Sequence, residues 1–146
     1  MPEVAAADEL ARACAAAMFA RDRAAQQLGV AIDEIRAGYA QLSLTIGESM
    51  INGHAIAHGG IVFMLADTAF AYACNSRNVP HVALGATISF AAPARAGDRL
   101  CAEAEERSLA GRTGIYDITV TKADSGDLIG VFRGTCYRIH GTVIEG

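Results

Sequence analysis

Residues 59–75 read Gly-Gly-Ile-Val-Phe-Met-Leu-Ala-Asp-Thr-Ala-Phe-Ala-Tyr-Ala-Cys-Asn, a seventeen-residue run with one charge, Asp67. The run is too long for an ordinary strand and predicts a helix. Apolar side chains fall on nearly every side of it, so the helix belongs at the centre of a domain rather than on its surface. It is also too short, and carries an acid in its middle, for a membrane span. A helix without a polar face has to be wrapped, and the rest of the chain offers sheet to wrap it.

After Pro80 the pattern is strand-like throughout. Val82, Leu84, Ala86, Ile88 and Phe90 alternate with small or polar residues, and residues 93–98 form a turn. Leu100, Ala102 and Ala104 alternate with Cys101, Glu103 and Glu105. Ala110-Gly111 marks a tight turn before Tyr116, Ile118 and Val120, and residues 124–127 mark a hairpin before a last strand over 128–139. Short connections predict antiparallel neighbours among these four strands. Ahead of the helix, residues 6–25 are Ala-rich and read as a helix. Residues 28–47 read as a helical turn or loop leading into a strand at Leu42-Ser-Leu-Thr-Ile46. The fold class is therefore α+β: one strand, a long central helix, then four strands curled around it, with an extra N-terminal helix.

A chain of 146 residues predicts a single domain over 1–146, with 1–27 as an N-terminal helical extension. Hydrophobic residues make up 52% and charged ones 19%, an apolar balance that predicts burial of surface against another copy of the chain. A net charge of −4 excludes nucleic acid or an anionic membrane as the main partner. Cys14, Cys74, Cys101 and Cys136 lie far apart without a CxxC pair, which predicts reduced thiols in a cytoplasmic protein. The acidic opening Met-Pro-Glu, with Asp8 and Glu9, is not a secretory signal.

Chemistry concentrates in Asn52-Gly-His-Ala-Ile-Ala-His58-Gly59-Gly60 and in Asp67-Thr68. An ionised carboxylate in apolar surroundings must be paired, hydrogen-bonded, protonated or used. Asp67 is thus either a functional acid or a structural one at a dimer seam, tied to a backbone amide or an Asn. If the helix starts near Gly59, its first amides lack carbonyl partners and point outward at the positive end of the helix dipole. Glycine there lets a ligand approach the backbone, an arrangement suited to a developing oxyanion; a simple tight turn is the alternative. Asp67 lies eight residues on, roughly 12 Å along a helix. One helix cannot bring both groups to one reacting carbonyl. Two antiparallel copies crossing at a two-fold axis can, so a shared reaction requires a composite site at a homodimer seam.

These features resemble the hotdog-fold acyl-CoA thioesterases of the phenylacetate-degradation type. The likeness rests on Asn52-Gly-His-x-x-x-His58-Gly59-Gly60 leading into Phe63-x-Leu-Ala-Asp67-x-Ala-Phe70, and continues through Gly111-Arg112-Thr113, Tyr116-Asp117 and Phe132-Arg133-Gly134. It implies a hotdog fold, homodimers that assemble into homotetramers, and hydrolysis of aryl-acyl-CoA such as phenylacetyl-CoA. Asp67 would then be general base or nucleophile, and Gly59 the oxyanion donor. Asn52 would hold water or thioester, and His58 would support the loop or touch the thioester. Gly60, Thr68, Arg112 and Thr113 would contact substrate or its CoA portion, with Thr68 alternatively back-bonding to its own helix. Arg95, Arg133 and Arg138 are further candidates for the CoA phosphates. Phe63, Phe70 and Tyr72 are candidates for an acyl pocket or for the core.

Thioesters are activated acyl donors, so neither a metal nor another cofactor is expected. His54 and His58 are four apart, but the neighbouring glycines argue for a loop rather than a metal-binding helix. Two rival readings share the fold: a non-catalytic acyl-CoA sensor, and a hydratase or dehydratase pairing a His with an acid.

Overall fold

The computed structural model describes residues 1–145. Its elements are α1 (Pro2–Arg21), α2 (Arg23–Leu28), β1 (Ala31–Arg36), β2 (Tyr39–Thr45), a 3-10 turn (Glu48–Met50), α3 (Gly59–Cys74), β3 (His81–Phe90), β4 (Arg99–Ala110), β5 (Thr113–Lys122) and β6 (Leu128–Arg138). The six strands form one antiparallel sheet in the order β1-β2-β4-β5-β6-β3. Helix α3 is in contact with all six strands, as a wrapped helix must be.

The inward face of the sheet is built from alternate residues, the period set by the pleat. Ala40, Leu42 and Leu44 of β2, Leu100, Ala102 and Ala104 of β4, Tyr116, Ile118 and Val120 of β5, and Phe132 and Cys136 of β6 are all buried. They meet Val62, Leu65, Ala66, Ala69, Phe70 and Ala73 of α3. Phe70 packs on Tyr116 and Phe132, and its ring lies against Gly134. A Cβ at Gly134 would stand 2.7 Å from that ring, so only glycine lets helix and sheet approach this closely.

Three expectations need correction. Residues 31–36 are a strand, which gives two strands before the helix rather than one. Ile32 and Ile35 are three apart and break the period of two, because a β-bulge at Asp33 inserts an extra residue. The bulge leaves both isoleucines on the inner side, opposite Leu42 and Ala40. The N-terminal helix starts at Pro2 and breaks at Asp22 instead of running over 6–25. The Asp22 carboxylate accepts the Ala25 amide (3.0 Å), capping α2, and the Tyr72 hydroxyl (3.1 Å) from α3. A tertiary contact thus sets the break. Lastly, β3 and β4 are consecutive but not neighbours. Strand β3 pairs with β6, with Ile88 opposite Phe132, and forms one edge of the sheet.

Helix α1 buries Ala11, Cys14 and Ala15 and packs on β1. The Asp8 carboxylate accepts the Ala37 amide (3.1 Å), which ties the extension to the β1–β2 turn. No helix among the described residues is long and apolar enough to cross a membrane.

Candidate active site

The loop before α3 is pinned by its own side chains. Asn52 Oδ1 accepts the amides of His54 (2.9 Å) and Ile56 (3.3 Å), and a single bridge joins Ile51 to Ala57. With Oδ1 occupied by two donors, the Asn52 side chain has its Nδ2 hydrogens left to give. His58 is the residue preceding α3, and its ring Nδ1 accepts the Gly60 amide at 2.9 Å. The His58 carbonyl accepts the amides of Ile61 (2.9 Å) and Val62 (3.3 Å). Among the described residues nothing accepts the Gly59 amide, which leaves it as the open donor of the first turn.

Gly59 belongs to the wall of a cleft of about 440 Å³, whose lining includes Asn52, Ile56, Val62, Phe90, Pro93 and Ile129. The cleft is largely apolar. Its polar capacity lies in the helix terminus and the Asn52 amide, a combination that suits a polar reacting group on an apolar body.

Asp67 lies two turns along α3. It is half-buried and has no hydrogen-bond or ion-pair partner among the described residues. Burial pushes its carboxyl above the ordinary aspartate range. The helix is not equally covered on all sides. Gly60, Phe63, Met64, Asp67 and Ala71 form one stripe that the single chain leaves partly open, and Asp67 sits in it. Asp67 is not on the wall of the Gly59 cleft.

Residues 54–129 match the model of the thioesterase superfamily. The chain is 43% identical over 127 residues to the acyl-coenzyme A thioesterase PaaI of Escherichia coli, covering 87% of this chain and 90% of that protein. The solved structure of the E. coli PaaI protein from the phenylacetic acid degradation operon superposes with a TM-score of 0.90 at 42% identity, over 92% of this chain and 97% of that one. A variant of the phenylacetic acid degradation protein PaaI from Thermus thermophilus superposes with a TM-score of 0.76 at 35% identity, over 79% and 97% of the two chains. The chain belongs to the thioesterase superfamily. It is a thioester hydrolase, and the sheet wrapped on α3 is the hotdog fold.

In this thioesterase the remaining candidate residues fall into separate places. Asn52, His58, Gly59 and Gly60 meet at the start of α3. The Gly60 amide is occupied by His58, so of the two glycines only Gly59 presents a free donor. Thr68 is buried and its hydroxyl donates to the Met64 carbonyl (2.7 Å), one turn back along the helix. Arg112 lies in the β4–β5 turn and, with Tyr137, Arg138 and His140, lines a surface hollow of about 390 Å³. Thr113 opens β5, and its hydroxyl reaches the Ala110 carbonyl at 3.4 Å. The hollow is at the Arg138 end of the β3–β6 ladder and Gly59 is at the Phe90 end. The ladder between them spans nine residue steps, roughly 30 Å at the rise of a strand. Arg133 is paired in a fork with Asp117 (2.6 and 2.8 Å), whereas Arg95 reaches the Ala55 carbonyl beside the cleft loop (3.5 Å).

Phe70 and Tyr72 are fully buried core, and Phe63 packs edge-on against Phe132 at 5.1 Å. The aromatic ring in the cleft is Phe90, which sequence reasoning had as one more alternating strand residue. Its position immediately before Ala91-Ala92-Pro93, where the strand must end, is the signal that sets it apart from the core positions.

Proposed function

We propose that this thioesterase hydrolyses acyl-CoA, with aryl-acyl groups such as phenylacetyl as its substrates, at a site completed by a second copy of the chain. One observation carries the proposal. An unpartnered, desolvated Asp67 and an unpartnered Gly59 amide lie on one helix roughly 12 Å apart, too far to serve one carbonyl within a single chain. The partly open stripe of α3 and the edge position of β3 support this reading as surfaces a second copy would cover. If two β3 edges join antiparallel about a two-fold axis, the Gly59 end of one protomer comes beside the Arg112 end of its partner. Such dimers pairing into a cytoplasmic homotetramer complete the assembly we propose, with the chain as one catalytic domain over its full length.

In this arrangement the Gly59 amide donates to the thioester oxygen. Asp67 of the other protomer takes a proton from water as the water attacks the carbonyl carbon. Negative charge collects on the oxygen, where the helix terminus and its amide stabilise it. The tetrahedral centre collapses with cleavage of the carbon–sulfur bond, and CoA leaves as a thiolate that picks up a proton. A carboxylate acting directly on the carbonyl would form a mixed anhydride instead. Single turnover in heavy-oxygen water tests this, since label entering Asp67 excludes the simple general-base route. Asn52 contributes its Nδ2 donor to the thioester or the water, His58 holds the terminus, and Thr68 and Gly60 hold the helix geometry around them. The cluster of Arg112 and Thr113 receives the CoA phosphates.

The test is complementation between two inactive variants. Asp67→Asn and Gly59→Pro are each expected to lower CoA release from aryl-acyl-CoA by about 100-fold or more. Unfolded and refolded together, they are expected to regain roughly a quarter of wild-type activity, because half of the dimers are mixed and each mixed dimer holds one intact site. No recovery in verified mixed dimers would put both groups in one chain and sink the composite site. Binding of acyl-CoA without any turnover by the wild type would favour the sensor.

A further inference from the structure

Phe90 is the last residue of β3, paired with Gly130 of β6, and its backbone is held there by the Ala91 amide donating to the Ile129 carbonyl at 2.8 Å. The residue is 54% exposed, unusual for a large aromatic residue in a chain whose other phenylalanines are buried or half-buried. The ring stands over the start of α3. A Cβ placed on Gly59 would meet Phe90 Cζ at 3.1 Å, Cε1 at 3.5 Å and Cε2 at 3.6 Å. Phe90 and Gly59, the residue whose amide has no partner among the described residues, therefore share the cleft wall.

Building on the acyl-CoA reading above, we propose that Phe90 is the specificity-determining wall of the site: its ring packs on the aryl group of the substrate and seats the thioester carbonyl against the Gly59 amide. In this arrangement a carbonyl held by that amide lies beside the ring. The ring excludes water on that side of the oxygen, which strengthens the amide's hold on developing charge. A flat acyl group gains an aromatic contact there that a straight alkyl chain does not match. Neither Asp67 nor the Gly59 amide supplies such discrimination, since both act on the thioester that every acyl-CoA shares. Gly59 has no side chain to compete with this contact, and the closeness of the ring gives a second reason for glycine at that position.

The experiment measures kcat/KM for phenylacetyl-CoA and for a straight-chain acyl-CoA of similar carbon number, in wild type, Phe90→Tyr, Phe90→Leu and Phe90→Ala. Circular dichroism and size-exclusion chromatography confirm each fold. The wild type is expected to prefer the aryl substrate. Phe90→Tyr keeps that preference, whereas Phe90→Leu and Phe90→Ala lose about 10-fold of it, the size of one aromatic contact. Should Phe90→Ala fail to fold, the Tyr and Leu variants alone decide the matter. Folded Leu or Ala variants that keep the wild-type ratio overturn the proposal, as does a wild type that turns over both substrates equally well; the thioesterase reading survives either result. A wild type that hydrolyses no acyl-CoA overturns both.

Discussion

The two ends of α3 are finished in opposite ways. At the C-terminal end, Asn75 donates from Nδ2 to the carbonyls of Ala71 (2.8 Å) and His81 (3.3 Å) while its Oδ1 accepts the His81 amide (2.8 Å). Ser76 donates to the Ala73 carbonyl (2.7 Å) and accepts the Gly38 amide (2.8 Å), so the helix is tied to the β1–β2 turn and to β3. Both residues are buried, and every side-chain atom named has a partner. At the N-terminal end one side chain, His58, holds one amide, and among the described residues the amide of Gly59, a residue of the cleft wall, has no partner. One end is saturated because an unpaired buried polar group costs stability. The other is left short of partners, and in the mechanism we propose a reacting group takes the place of one. Asp67, midway between, shares the character of the open end: it is desolvated and unpaired.

The largest effect that sharpens this contrast comes from Asp67→Asn. Loss of the proposed base is expected to lower kcat by about 10²–10⁴-fold. The same change is expected to raise the melting temperature at pH 7. Between its ordinary pKa and its raised one in the fold, the native state keeps a proton that the unfolded chain has released. Unfolding free energy therefore falls as pH rises through that window, and the ionised acid is a burden above it. Asparagine removes the burden, and the gain disappears at pH values below both pKa values. The acid limb of the wild-type pH–rate profile is expected to have its midpoint above the ordinary aspartate value. A kcat that survives Asp67→Asn would make Asp67 a structural residue.

Next comes the open amide itself. Gly59 is the first residue of α3, where proline is well tolerated, and His58 before it has φ −59° and ψ 133°, a conformation that proline accepts in its predecessor. Gly59→Pro thus removes the N–H while keeping the helix. Its kcat is expected to fall by about 10²–10³-fold, the loss typical of one oxyanion donor. Gly59→Ala adds the same Cβ against Phe90 but keeps the N–H, so its loss is expected to be smaller. Equal losses in the two variants would assign the effect to crowding rather than to the amide.

The closed end responds in the opposite currency. Asn75→Ala strands the buried His81 amide and is expected to cost about 1–3 kcal/mol in urea unfolding, with kcat per folded molecule unchanged. A fall in kcat without a fall in stability would erase the distinction between the two ends.

How much of this was legible in the sequence depends on whether the information was local. Helix α3 announced itself because sixteen residues lack a polar face, and its observed start and end fall within one residue of the run read from sequence. Strands β4 to β6 were legible because the alternation set by the pleat survives the bulges at Arg107 and Ile129, and because Gly111 and residues 124–127 mark their turns. Strand β1 was hidden by the bulge at Asp33, which turns a period of two into a spacing of three. The break at Asp22 was hidden because its cause, the Tyr72 hydroxyl, is fifty residues away. The partner of β3 was hidden because pairing with β6 is a long-range choice made by the inward faces rather than by loop length. For the site, Asp67 stood out as a lone charge and Gly59-Gly60 as a helix start. The sequence does not say which glycine amide stays free, because that follows from where the His58 ring turns. Nor does it distinguish Phe90 at the cleft from Phe70 in the core, since both are apolar residues in apolar segments.

The smallest effect belongs to His58, and it tests whether the open end is held together by support or by chemistry. Its Nδ1 caps the Gly60 amide, and losing a cap acceptor costs about 1 kcal/mol in helices generally. His58→Ala is expected to cost that much, seen as a melting temperature lower by about 2–4 °C at this chain length. It is also expected to lower kcat only several-fold, through a looser helix start. Asparagine caps as well as any residue, so His58→Asn is expected to restore most of the stability and most of the rate together. That parallel recovery is what a supporting role requires. If His58→Asn instead restores stability while kcat stays as low as in Asp67→Asn, the imidazole is moving a proton, and Asp67 shares the chemistry of the open end with its neighbour.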